Sequence, residues 1–142
     1  MTGGNVFVDT HIIVYAYDVS AGKKHDMAVE LMEDLWSSGR GVISTQVLQE
    51  LFVTITKKLG KPLDIVTAKE IVKDLLKWKT IIVDGDIILE AIDSQKEYGY
   101  SFWDSVIIAS ALEGGAATLL SEDLSDRRQV KGITIRNPFI AG

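Results

Sequence analysis

The sequence predicts an α/β domain, a sandwich of helices around a central, mainly parallel five-stranded sheet. Three observations predict it. Short apolar runs alternate with stretches of helical apolar spacing along the whole chain. The strand candidates are apolar throughout rather than alternating, as expected for strands covered on both faces. The length, 142 residues, suits one domain with its own core, so residues 1–142 are read as a single unit.

Each element has a local reason. Val6-Phe7-Val8 reads as a buried strand ending at Asp9, and His11–Tyr17 as a short helix. From Asp26 to Ser37, Ala28, Leu31, Met32, Leu35 and Trp36 recur at helical spacing, and Gly39 stops the helix. Val42-Ile43 is the second strand. Ser44 caps a helix whose core stripe is Leu48, Leu51, Phe52, Ile55 and Leu59, closed by Gly60 and Pro62. Asp64 caps the next helix, with Ala68, Ile71, Val72, Leu75 and Leu76 on one face, and Ile81-Ile82-Val83 is the third strand. Asp86 begins a helix carrying Ile88, Ala91 and Ile92 that runs out near Tyr98-Gly99. Ser101 opens a further helix, Phe102 to Glu113, closed by Gly114-Gly115. Thr118-Leu119-Leu120 and Ile133-Thr134-Ile135 complete the sheet.

Composition narrows the chemistry. Cysteine is absent, which excludes disulfides, zinc thiolate sites and thiol catalysis. The two histidines, His11 and His25, are too few for a His-rich metal site, so a metal would be held by oxygen, as Mg²⁺, Mn²⁺ or Ca²⁺ are. A net charge of −5 predicts no bulk attraction to nucleic acid and leaves that role to local basic patches. The N-terminus has no basic region before an apolar run, and no apolar stretch approaches a membrane span. A soluble cytoplasmic protein is expected.

In open α/β sheets, functional groups gather beyond the carboxyl ends of the strands. Here those positions are acidic: Asp9-Thr10 after the first strand, then Gln46, Gln49 and Glu50, then Asp84 and Asp86, then Ser121, Glu122, Asp123 and Asp126. Acids gathered at one edge repel one another, and a divalent cation relieves the repulsion. Each acid also has an ordinary reading. Asp9 could cap the helix after it, and Asp123 lies in a turn-rich segment. Glu50 projects opposite its helix's core stripe with Gln46 and Lys57, as a solvated face would. Asp104 sits in an otherwise apolar helix, where a carboxylate is costly unless bonded or bound to a metal. Ser101-x-x-Asp104 also has the spacing of a capping box, and the two readings are compatible.

Four segments in order resemble the PIN domain, a family of metal-dependent ribonucleases, most closely its short branch of toxins from toxin–antitoxin pairs. They are Val6–Thr10, Ser44–Phe52, Trp103–Ala111 and Leu119–Asp123. The resemblance implies a catalytic and metal-holding quartet of Asp9, Glu50, Asp104 and Asp123, with Asp126 an alternative to Asp123. It also implies supporting roles for Thr10 and Ser121, and it places the Glu50 face on the cleft. His11 departs from the Asn or small polar residue that members often carry there.

On that resemblance, Mg²⁺ or Mn²⁺ would activate water, neutralise charge on the phosphate and leave 5′-phosphate and 3′-hydroxyl ends. The implied partners are an RNA substrate, a small antitoxin and a second copy of the chain. Seven of the fifteen basic residues lie between Lys57 and Lys79. Lys57, Lys58, Arg127 and Arg128 are the candidate RNA contacts, whereas Lys69, Lys73 and Lys77 read as a solvated helix stripe. Phe102 and Trp103 could stack on bases, but beside so apolar a helix they are expected in the core, and Trp36 and Trp78 read as helix-face packing. A phospho-acceptor receiver domain would need two adjacent acids after the first strand and a Lys after the last one, whereas the chain offers the single acid Asp9 and Arg136-Asn137-Pro138. A scaffold without activity predicts a broken quartet. A processing or DNA-directed nuclease shares the chemistry and differs only in biology.

Overall fold

The computed structural model describes residues 3–140. Its sheet comprises β1 (Asn5–Val8), β2 (Gly41–Ser44), β3 (Lys79–Ile81), β4 (Ala116–Leu120), β5 (Gln129–Val130) and β6 (Ile133–Arg136). The strand order is β3-β2-β1-β4-β6-β5. Every neighbouring pair is parallel except β5 and β6. The sixth strand is the one the apolar pattern does not announce. It forms a two-residue hairpin with β6 through Lys131 (φ 50°) and Gly132 (φ 85°), the paired positive angles that match strand twist.

Six α-helices cover the sheet: α1 (Thr10–Ala16), α2 (Lys23–Ser38), α3 (Thr45–Lys57), α4 (Ile65–Leu75), α5 (Gly85–Tyr98) and α6 (Phe102–Glu113). Side-chain oxygens start four of them as the sequence predicts. Asp9 caps α1, Ser44 accepts from Val47 N at 3.3 Å, Asp64 from Thr67 N at 2.7 Å, and Ser101 from Asp104 N at 3.2 Å. Gly39 ends α2 in the left-handed conformation (φ 70°).

Several boundaries move. The α5 cap is Asp84, which accepts from Ile87 N at 3.0 Å, so Asp86 sits in the first turn. Ile87 and Ala91 are its buried apolar side chains, while Ile88 and Ile92 are exposed. Helix α2 begins at Lys23, three residues early, because its polar first turn carries no apolar signal. Strand β3 is displaced toward Lys79. Val83 N donates instead to Thr45 Oγ1 at 3.1 Å, and Ile82 projects outward.

Phe7 on β1 is fully buried, and α6 is enclosed over seven consecutive residues, Ser105–Ala111. Helix α6 lies against β2 and β4, with α5 packed on it. Trp78 is buried over Gly41, where a Cβ would come within 2.6 Å of the indole, and it meets Trp36 edge-on at 5.5 Å. Trp36 itself is 43% exposed and packs from the face of α2 onto that indole. No helix among the described residues is long and apolar enough to cross a membrane.

Candidate active site

Strands β2, β1 and β4 are neighbours, and the chain leaves β1 in opposite directions: toward β2 and β3 on one side, toward β4 and β6 on the other. This reversal opens a crevice at the carboxyl ends of β1 and β4. Asp9 and Ser121 face each other across it. Asp9 N donates to Leu120 O at 2.9 Å, and Ser121 Oγ donates to Asp9 Oδ2 at 2.9 Å. The other carboxylate oxygen, Oδ1, accepts from Thr10 N at 2.7 Å. Asp9 is therefore both the α1 cap and a wall of the crevice.

Helix α3 leaves the end of β2 and brings Glu50 to the same place. Thr10 Oγ1 donates to Glu50 Oε1 at 3.1 Å. Gln46, Gln49 and Glu50 all line the cavity, so the cleft face implied by resemblance holds. Of the residues that periodicity reads as solvated, Glu50 and Lys57 are exposed but Gln46 is buried, and Lys57 lies outside the cavity. The amino end of α6 supplies Asp104, half-buried in the first turn beside Trp103. The burial expected along this helix begins only at Ser105, so the desolvation cost at Asp104 is smaller than its apolar sequence suggests. Its backbone is capped by Ser101 while its side chain lines the cavity, so its two readings hold together.

Asp9, Glu50, Asp104 and Asp123 all line one cavity of about 400 Å³. Asp126 is not among its lining residues. Its Oδ1 instead accepts from Asn137 N at 2.8 Å, and Arg127 Nε lies 3.7 Å from its Oδ2. Of the four basic candidates, Lys58 lines the cavity; Lys57 and Arg127 are exposed elsewhere. Arg128 is held over the rings of Tyr100 (4.9 Å) and Tyr98 (5.6 Å) and donates to Tyr98 O at 3.3 Å.

Burial pushes the Asp9 carboxyl up to about 6. Hydrogen bonds from Thr10 and Ser121 oppose the shift, and the charges of Asp123 and Glu50 add to it. Among the described residues, no three His, Asp or Glu side chains converge closely enough to hold an ion as placed. The donors nonetheless fit Mg²⁺ or Mn²⁺ by kind: four carboxylates line one cavity, and the buried one is destabilised by its negative neighbours.

Two features escape sequence reasoning. Trp103, expected in the core, is 66% exposed on the cavity wall, with Phe102 edge-on at 5.2 Å. Apolar patterning cannot separate a wall from a core at the first turn of a buried helix. His11 meets Asp123, with Nδ1 2.7 Å from Oδ2, a contact across 112 positions that no local pattern encodes.

A mostly parallel α/β sheet is the architecture to which comparison with known proteins also leads. The PIN-domain family matches residues 6–130, and the chain belongs to that family. Its fold is similar to that of a chain in a toxin–antitoxin complex from Klebsiella pneumoniae, with 19% identity, TM-score 0.69, and coverage of 95% of this chain and 98% of that one. It is also similar to VapC20 of Mycobacterium tuberculosis, described as a sarcin–ricin-loop-cleaving toxin, with 19% identity, TM-score 0.62, and coverage of 84% and 92%. A third neighbour is a chain of FitAB bound to a DNA fragment, with 14% identity, TM-score 0.69, and coverage of 96% and 97%. No curated protein gives a sequence match.

Proposed function

We propose that the cavity is the active site of a Mg²⁺- or Mn²⁺-dependent endoribonuclease, and that the chain is the toxin of a toxin–antitoxin pair. One observation carries the proposal: acids from four segments far apart in sequence line a single cavity at the sheet's switch point. Asp9, Glu50, Asp104 and Asp123 would hold the ion. When bound, it supplies a lowered pKa for water and neutralisation of charge on the phosphate. Thr10 and Ser121 fix the inner acids, Thr10 by bonding both Asp9 and Glu50, and Ser121 by bonding Asp9. Lys58 offers a cation to the phosphate backbone, and the Trp103 indole a plane for an unpaired base. The placement of Asp126 on Asn137 N favours Asp123 as the fourth acid.

Similarity to a chain from a toxin–antitoxin complex and to an RNA-cleaving toxin supports the biological part of the proposal. We extend it to a small antitoxin partner and a homodimer. Structured RNAs incubated with Mg²⁺ or Mn²⁺, with and without chelator, test the activity, with matched DNA as a control. Metal-dependent products bearing 5′-phosphate and 3′-hydroxyl ends are expected; cleavage of DNA alone, or cutting that survives chelation, contradicts the proposal. Expression without a partner should arrest growth, and Asp9→Asn should relieve the arrest. Harmless expression of an active nuclease would replace the toxin role with a processing one.

A further inference from the structure

The geometry points to His11 and Tyr15 as positioning residues that hold the loop after β4, so that Asp123 meets the cavity already ordered. The inference rests on the nuclease reading above. His11 and Tyr15 are four residues apart in α1 and so share one face of it. The facing loop presents Ser121, Glu122 and Asp123 in succession, and each is tied to a different group. Ser121 donates to Asp9 at 2.9 Å. Glu122 accepts from Tyr15 Oη at 2.6 Å and pairs with Lys24 of α2. Asp123 pairs with His11 Nδ1 at 2.7 Å. An ionised carboxylate only accepts hydrogen bonds, so Nδ1 carries the shared proton.

Tyr15 is itself braced. Its ring meets Phe139 edge-on at 5.3 Å, and its carbonyl lies 2.9 Å from His25 Nδ1. His11 and Asp123 are both about half exposed, and His11 lines the cavity with the four acids. An exposed pair of this kind adds about 0–1 kcal/mol to stability, too little to explain so specific a contact as a fold requirement. Its value lies in orientation. Glu50 and Asp104 lie on helices and Asp9 on the one-residue joint between β1 and α1, whereas Asp123 lies in the longer irregular segment after β4, where a carboxylate left free would have to be ordered by the ion itself. Partners that orient a ligand typically change metal affinity by about 10–100-fold when lost.

The test is calorimetric titration of Mn²⁺ into the metal-free full chain, alongside thermal melts and RNA cleavage. His11→Ala should weaken Mn²⁺ binding by about tenfold and lower kcat/KM in parallel, while its melting temperature stays close to wild type. His11→Asn keeps a donor near the Nδ1 position and should recover most of the affinity. Tyr15→Phe, which loosens only the Glu122 tether, should lose a smaller factor. His11→Ala binding Mn²⁺ as tightly as wild type overturns this inference and leaves the nuclease reading standing. Failure of His11→Asn to recover affinity overturns it too. A wild type that neither binds Mn²⁺ nor cuts RNA overturns both.

Discussion

Burial and the negative charges of Asp123 and Glu50 act together at Asp9, against its hydrogen bonds from Thr10 and Ser121. Its folded carboxyl holds a proton up to about pH 6, against 3.8 for an ordinary one. Folding therefore favours the protonated acid; that contribution is fully present below about pH 4 and is lost as pH rises through 6. The gap corresponds to roughly 3 kcal/mol at neutral pH. Asp9→Asn is neutral at every pH and keeps an acceptor for Thr10 N. In chelator it should melt above wild type at pH 7.5, with the advantage shrinking toward zero near pH 4. A pH-independent difference between the two melting curves contradicts this account. Trp103 makes a separate prediction on the nuclease reading. Stacking on an aromatic plane is worth about 1–3 kcal/mol per base, so Trp103→Ala should raise KM for RNA about tenfold, and Trp103→Phe should do less. An unchanged KM for the alanine variant removes the indole from substrate binding.

Helix starts are where the elements were most and least legible. Helix α6 was readable to the residue, because Ser101 and the Gly114-Gly115 pair bracket an apolar run. Helix α5 was not, because Asp84 and Asp86 are both suitable caps and only backbone geometry chooses between them. The choice predicts an asymmetry. Asp84→Ala should cost about 1 kcal/mol in urea melts, and Asp86→Ala should stay within about 0.5 kcal/mol. Equal losses, or a larger one at Asp86, would return the cap to the later residue. The β5–β6 hairpin was hidden for another reason: its two-residue first strand is too short to show a period, and its turn uses Lys131 where Asn or Asp is usual.

At the scale of the molecule, the parallel layering followed from apolar strands alternating with helices, and the site from acids placed after those strands. What the chain could not reveal locally is convergence. Ser121 bonds Asp9 across 112 positions and Thr10 bonds Glu50 across 40, contacts created by placing β1 between β2 and β4. Resemblance named the quartet, while residue patterns alone left each acid with an ordinary alternative. The central claim is that these four acids work as one site. It is tested most directly by Mn²⁺-dependent RNA cleavage with Asp9→Asn, Glu50→Gln, Asp104→Asn, Asp123→Asn and Asp126→Asn, each checked for an unchanged circular dichroism spectrum. The first four should each lose about 100-fold or more, beyond the usual range for outer partners, and Asp126→Asn should remain within about tenfold of wild type. Wild-type cutting by Asp9→Asn or Asp104→Asn, or a larger loss in Asp126→Asn than in Asp123→Asn, would contradict it.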